Sequence, residues 1–345
     1  LSVIASSISL ARFTLNKKIE IQHQWEGDCE MPDRFASLRV FGGNAHRELS
    51  GEIAGHLDVE LGRSRVSQLA DGETRVEIDE SVRGKDVFIV QPTSPPVNET
   101  TMELLIMVDA FRRASAKRIT VVMPYYGYAR QDLKVKGREP ITAKVVANLL
   151  AAGGVDRIVC MDLHVPQIQG FFDIPMDHLT AIPILAGYFK GRGTRDTVLV
   201  SPDLGGVART REMAERIGGS IAILEKRRLA PTRVEVSSVI GDVRGKDAIM
   251  IDDIIASAST VEQGACFLRA AGARSVSVCC THPLLLGRAV QRLERAPIEQ
   301  VIVTNTIPVA PEKRISKLQV LSIGRLLADA ILAIHDESSV SRLFY

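Results

Sequence analysis

No uninterrupted apolar stretch in the sequence approaches the roughly 20 residues that a membrane span needs, so no membrane partner is expected. Nor is there a C-x-x-C pair. The five cysteines (Cys29, Cys160, Cys266, Cys279 and Cys280) are scattered, and Cys279 and Cys280 adjoin inside an apolar run. That pattern speaks against a zinc ribbon or disulfide framework and for buried, reduced thiols in a cytoplasmic chain. Charge of one sign is also missing. A formal net of +2 over 345 residues provides no global field for nucleic acid, so any anion must be held by a local site. There is no G-x-x-x-x-G-K-[ST], which disfavours a P-loop kinase, and no low-complexity tract or short repeat.

Acids are absent from "LSVIASSISLARFTLNKK" at the start, a serine-rich stretch carrying Arg12, Lys17 and Lys18. Two readings fit residues 1–37: an organelle transit segment, or an N-terminal extension without fixed structure.

From residue 38 onward, short β-branched runs alternate with helical patterns. The runs are "DVFIVQP", "RITVVMPY", "RIVCMDLH", "TVLVSPD", "SIAILEKRR", "DAIMIDD", "SVSVCCTHP" and "QVIVTNTI". Between them, "ITAKVVANLLAAGG" and "GVARTREMAERIGG" space apolar residues as helices do, with glycine past the end. Strands apolar on both faces and separated by helices predict an α/β protein with mainly parallel sheets covered on both sides. The length suffices for two domains, and the glycines and charges of "AIPILAGYFKGRGTRD" place a soft boundary near 180–190, giving 38–185 and 186–345.

Candidate chemistry collects at the strand ends, where open parallel sheets bind ligands. Asp252 and Asp253 close an apolar run; two such carboxylates need a metal, sugar hydroxyls or a cation as compensation. Strand alternation sends them to opposite faces, so one contacts ligand and the other packs. "ASASTVEQGACFLRAAG" then reads as a helix with Val261, Gly264, Ala265 and Leu268 on one stripe. Its N-terminal N–H groups, with Ser257, Ser259 and Thr260, suit a phosphate, and a carboxylate beside them suits a phosphorylated pentose. Asp162 and His164, two apart, are expected on one strand face; the pair can hold a divalent cation with Asp173 and Asp177 downstream, or His164 is a hydrogen-bonded structural histidine, the reading that Asp-x-His alone favours. Asp203 closes another strand before Gly205 and Gly206, which let backbone approach a ligand. "YYGYARQDLKVKGREP", with Arg130, Lys134, Lys136 and Arg138, reads as a basic lid before a helix opened by Pro140. Lys226, Arg227 and Arg228 form a cluster at a strand end that could neutralise a phosphoryl group in transfer.

In this order, "LADGETRVEIDESVRGKDVFIVQ", "YYGYARQD", "REPITAKVVANLL", "MDLHVPQIQGFFDIPMDHL", "SPDLGGVAR", "EKRR", "IDDII", "THPLL" and "ESSVSRLFY" resemble the ribose-phosphate pyrophosphokinase family from about Arg39 to the end. The resemblance implies two phosphoribosyltransferase-like domains, the first on the ATP side and the second on the ribose 5-phosphate side. It also implies a homo-oligomer, usually a hexamer, and Mg²⁺-dependent transfer of diphosphate from ATP to ribose 5-phosphate. By the same resemblance Asp71, Gly72, Glu73, Arg130 and Gln131 contact ATP. His164 and Asp203 are the magnesium positions, with Asp162, Asp173 and Asp177 in the neighbouring acidic loop. Lys226 stabilises the transition state; Arg228, Asp252 with Asp253 beside it, and Ala256, Ser257, Ala258, Ser259 and Thr260 receive ribose 5-phosphate.

Four positions depart from the family pattern. Leu69 stands where an aromatic residue is usual, Leu133 where a basic one is common, and Leu229 where proline often follows the basic cluster, with Pro231 displaced. "ASAST" replaces the usual D-T-G-G-T or D-T-A-G-T, so Ala256 removes a carboxylate and Ser259 replaces a glycine. A left-handed Ser259 would cost about 1–2 kcal/mol, roughly tenfold in affinity or rate. The departures at 256–260, Leu69 and Leu133 motivate one alternative to an active diphosphotransferase, a non-catalytic regulatory homologue that assembles with an active synthetase. A second, a transferase joining a base to the sugar, suits "IDDII" but leaves the ATP elements of the first half unexplained.

Overall fold

The computed structural model describes residues 35–190, 196–230 and 233–344, with 226–230 and 233–237 described by backbone alone. The expectations for Arg12, Lys17, Lys18 and Cys29 lie outside the described residues. Leu38–Tyr345 forms one compact unit.

Its first sheet begins with β1 (Leu38–Gly42); β2 (Ser64–Gln68) and β3 (Thr74–Ile78) then leave it as a separate antiparallel hairpin. β4 (Asp86–Val90), β5 (Arg118–Met123), β6 (Arg157–Met161) and β7 (Met176–Leu179) complete the order β1-β4-β5-β6-β7, parallel throughout. All five residues of β4 are buried, as expected of a central strand covered on both faces. The helices of this half are α1 (Arg47–His56), α2 (Val97–Arg113) and α3 (Thr142–Gly153). α3 stops at Gly154, whose φ of +101° is open to glycine and where a Cβ would lie 2.8 Å from Arg112 Cδ.

The second sheet comprises β8 (Thr197–Ser201), β9 (Ser220–Ala230), β10 (Arg233–Ile240), β11 (Asp247–Ile255), β12 (Ser275–Pro283), β13 (Gln300–Thr304) and β14 (Leu318–Leu321). Its order is β10-β9-β8-β11-β12-β13-β14, parallel except for the antiparallel β9–β10 pair. That pair corrects one expectation. "EKRR" does not end a strand but continues within β9, where Lys226 pairs with Val236 and Arg228 with Val234. The helices are α4 (Ile182–Phe189), α5 (Val207–Ile217), α6 (Ser259–Ala270), α7 (Ala289–Arg295) and α8 (Gly324–His335). The soft boundary at 180–190 coincides with α4, which follows the last strand of the first sheet and packs on α5.

Each sheet has its own apolar core. Phe41 and Phe111 meet at 4.5 Å in the first; Met250, Val278 and Val301 lie in the second. Burying such a side chain contributes about 1.5–3 kcal/mol. The α6 stripe of Val261, Gly264, Ala265 and Leu268 is buried as its spacing predicts, and a Cβ on Gly264 would lie 2.7 Å from Met250 Cε. Cys160, Cys279 and Cys280 are buried, but Cys266 is exposed: it falls on the α6 face opposite that stripe. A smaller cluster of Tyr125, Leu284 and Ile307, with Ile254 and Ala256 against it, joins the halves beneath the strand ends. α8 crosses back to pack on α1, and its His335 Nδ1 lies 2.7 Å from Asp86 Oδ2 on β4.

Candidate functional site

Beyond the carboxyl ends of β8 and β11 lies a cavity of about 270 Å³, lined by Arg130, His164, Asp203, Asp252, Asp253 and residues 254–261. Its walls come from both halves. His164 follows β6 and Arg130 follows β5 in the first; Asp203 and the rest belong to the second.

Asp162 and His164 do not share a strand face. β6 ends at Met161, and Asp162 takes a φ of +34°, which breaks the alternation. Asp162 is buried, and its Oδ2 accepts from the Ala181 N–H (2.9 Å) and the Thr281 hydroxyl (2.7 Å). His282 Nε2, 3.1 Å away, holds its carbonyl. The carboxylate therefore braces the two sheets against each other and does not line the cavity, while His164 does.

Asp253 is the packed member of the acidic pair. Its Oδ2 lies 2.7 Å from His164 Nδ1 and its Oδ1 3.4 Å from Arg209 Nη1 on α5. Burial works against its charge, but the His164 hydrogen bond and the Arg209 cation hold it well below the usual carboxylate range. Asp252 is half-buried; desolvation, then the neighbouring Asp253 charge, push it well above that range. The bond to Asp253 also raises His164, against burial.

The 256–260 loop resolves the question of Ser259. The left-handed residue is Ala258 (φ +58°), which precedes the first turn of α6, and Ser259 is already helical. The strain therefore falls one residue earlier than the glycine comparison suggested. The Ser257 and Ser259 hydroxyls lie 3.1 Å apart, and Arg292 Nη1 donates to the Ser257 carbonyl at 2.8 Å. Leu286 N–H donates to the Ala256 carbonyl at 2.8 Å, so the loop is pinned by backbone contacts that a side-chain change at 256 leaves intact.

Asp203 Oδ1 accepts from the N–H groups of Gly205 (3.1 Å) and Gly206 (3.2 Å), which closes the turn into α5. In the basic loop, Val135 and Lys136 N–H groups donate to Glu139, and Gln131 Oε1 accepts from Thr142 at the start of α3. Pro140 lies two residues before that helix. Other expected residues stand apart. Asp71, Gly72 and Glu73 form the exposed tip of the β2–β3 hairpin and do not line the cavity. Asp173 pairs with Lys144 (3.2 Å), and Asp177, on the edge strand β7, pairs with Arg157 (2.6 Å). The side chains of Lys226 and Arg228 lie outside the described residues. Arg209 was missed, although its place four residues before buried Met213 sets it on the inward stripe of α5.

Among the described residues, His, Cys, Asp and Glu nowhere gather in threes as a metal-holding group. The donor set still fits magnesium, which keeps several waters and is held by one or two carboxylates together with substrate phosphates. His164 is held at Nδ1 by a carboxylate, the usual support for an imidazole that presents its other nitrogen to a cation. No described helix is long and apolar enough to cross a membrane.

The profile of the N-terminal domain of ribose phosphate pyrophosphokinase matches residues 38–154, and that of the phosphoribosyl synthetase-associated domain matches 227–345. A ribose-phosphate pyrophosphokinase of Bacillus cereus is 52% identical over 309 residues, 90% of this chain and 98% of the relative. That of Bacillus subtilis is 52% identical over 308 residues, 89% and 97% of the two chains. The crystal structure of phosphoribosylpyrophosphate synthetase from Mycobacterium smegmatis superposes with a TM-score of 0.83 at 44% identity, over 88% of this chain and all of that one. The chain, an α/β protein of two mainly parallel sheets flanked by helices, belongs to the ribose-phosphate pyrophosphokinase family.

Proposed function

We propose that the chain transfers diphosphate from ATP to the anomeric hydroxyl of ribose 5-phosphate, giving 5-phosphoribosyl 1-pyrophosphate and AMP for nucleotide biosynthesis in the cytoplasm. The observation that carries this is one cavity whose walls unite Arg130 and His164 of the first half with Asp203, Asp252 and the start of α6 in the second. ATP is taken on the 38–185 side and ribose 5-phosphate on the 186–345 side. Asp252 faces the ribose hydroxyls, and the N–H groups of residues 257–260 face the 5-phosphate. His164 and Asp203 would hold Mg²⁺, which neutralises charge on the diphosphate oxygens. Lys226, with Arg228 two residues on, adds cations for charge that grows in the transition state. Arg130 and Gln131 bring the basic loop over ATP; Asp71, Gly72 and Glu73, at the exposed hairpin tip outside the cavity, are assigned to ATP by resemblance alone.

The helical backbone of Ser259 supports this reading against the objection of a strained Ser259, the positive φ of the loop lying at Ala258. The protein incubated with ATP, ribose 5-phosphate and Mg²⁺ forms AMP and phosphoribosyl pyrophosphate, and Lys226→Ala lowers the rate at least about 100-fold. Absence of product across a range of pH and phosphate would sink the reading and favour the regulatory homologue.

The partner we infer is a second copy of the chain, in a hexamer by resemblance. Val145 and Leu149, one turn apart on α3, are 50% and 48% exposed, and Met102 on the neighbouring α2 is 53% exposed, apolar side chains that suit burial between copies. A monomeric mass by light scattering at assay concentration would remove this inference.

A further inference from the structure

Arg209 sits on α5 with its side chain only 16% exposed and directs Nη1 at Asp253 Oδ1. Asp253 in turn holds His164 Nδ1 at 2.7 Å. Three side chains thus link a helix of the second half, through strand β11, to the loop after β6 in the first. His164 and Asp253 line the cavity; Arg209 stands behind them. The helix that carries Arg209 is also the one whose entry turn is closed by Asp203. One corner of the chain therefore fixes Asp203 directly and His164 at one remove.

His164 lies in a loop, outside the strand pairing that would otherwise orient it. A bond from one carboxylate oxygen orients an imidazole only as well as that carboxylate is itself held. The Asp253 oxygen turned away from His164 faces Arg209, whose charge is favoured, despite burial, by Asp253, Asp162 and Asp252. At 3.4 Å the Arg209 contact is longer than the roughly 2.7–2.9 Å of a tight charge-assisted bond. The hold thus comes mainly from the cation and less from a clamped fork.

We propose that Arg209 is a positioning residue for diphosphate transfer: it anchors Asp253 so that Asp253 sets the orientation of the His164 imidazole across the boundary between the two halves. This rests on the diphosphotransferase reading above, and it gives a buried arginine a catalytic consequence without contact with substrate. The alternative is that Arg209 only neutralises buried carboxylates and serves stability.

Native protein, Arg209→Gln, Arg209→Lys, His164→Ala and the double variant are compared by steady-state kinetics with ATP, ribose 5-phosphate and Mg²⁺, beside thermal melting. Arg209→Gln should lower kcat about 10–100-fold, as loss of a partner behind a ligating histidine commonly does, with KM for ribose 5-phosphate within about threefold. Arg209→Lys, which keeps the charge, should recover most of the loss. Arg209→Gln combined with His164→Ala should be no slower than His164→Ala alone, because both act through one group. Native kcat in Arg209→Gln, losses that multiply in the double variant, or a lysine variant as slow as glutamine would each overturn the proposal. A second readout needs no turnover. The ring ¹⁵N and ¹³C signals of His164, identified by their loss in His164→Ala, should shift and broaden in Arg209→Gln and return in Arg209→Lys; an unchanged ring spectrum overturns the brace. Failure of the native protein to form product would count against the diphosphotransferase reading, and the ring spectrum would still decide on the brace.

Discussion

Asp162 and Asp253 are both buried carboxylates at the end of a strand, one in each half, and they are compensated in opposite ways. Asp162 is held by neutral donors, the Ala181 N–H and the Thr281 hydroxyl. Asp253 is held by an imidazole and a guanidinium. Buried charge at a strand end is thus not itself the mark of a site. The partner distinguishes them: neutral donors make a brace, whereas an ionisable partner that lines a cavity, as His164 does, marks a candidate site.

The largest test of this contrast removes each acid. Asp253→Ala leaves Arg209 buried without its partner and should cost about 3–5 kcal/mol in urea denaturation. Asp162→Asn keeps a carbonyl for both donors and should cost about 1–2 kcal/mol, with kcat within about threefold of native. Equal losses at the two positions would erase the distinction.

A milder test uses a neutral buried group. His46 Nε2 donates to the Asn305 carbonyl at 2.9 Å and its Nδ1 accepts from the Leu49 N–H at 3.3 Å, an arrangement that only the neutral ring satisfies. Burial lowers its pKa below the ordinary 6.5. The unfolded chain therefore binds the proton first on acidification: stability is full above about pH 6.5 and falls as pH drops toward the folded value. Melting temperatures from pH 8 to pH 5 should fall on that acid limb, and His46→Gln should make it shallower, leaving the share of His178 and His282, which burial lowers likewise. An equally steep limb in the variant would place the titration elsewhere.

The smallest effect is expected at the 256–260 loop. Restoring D-T-A-G-T should change KM for ribose 5-phosphate by no more than about threefold, since the strained φ belongs to Ala258, which that change retains. A tenfold gain would show that Ser259 impairs the phosphate cradle by other means.

The strands were legible because central parallel strands are apolar on both faces: each β-branched run read from the sequence contains a strand or lies within one, "SIAILEKRR" in β9 and "DAIMIDD" in β11. The α6 stripe was legible for the same reason, since one buried face imposes a period. Strands at or near sheet edges were harder. β7 is the four-residue "MDHL" and β14 the four-residue "LQVL", too short for a pattern. Of the site, Arg130, His164, Asp203, Asp252 and the loop could be named, as polar residues at the ends of apolar runs. Their partners could not. Whether Asp162 or Asp253 meets a cation depends on contacts 119 and 89 residues away in sequence, and local spacing carries no record of them. Asp162 also leaves its expected face through one positive φ, a backbone choice that neighbouring side chains do not announce.

The return of α8 to the first half bears on how such a chain could have been assembled. Its His335 and the Ile334 carbonyl meet Asp86 and Arg118, so the last helix of the second half completes the packing around the first sheet. A gene cut near residue 185 would give two products, neither of them whole: one without the helix that lies against α1, the other with that helix facing water. The fold therefore ties the two halves together, since each leaves apolar surface uncovered without the other.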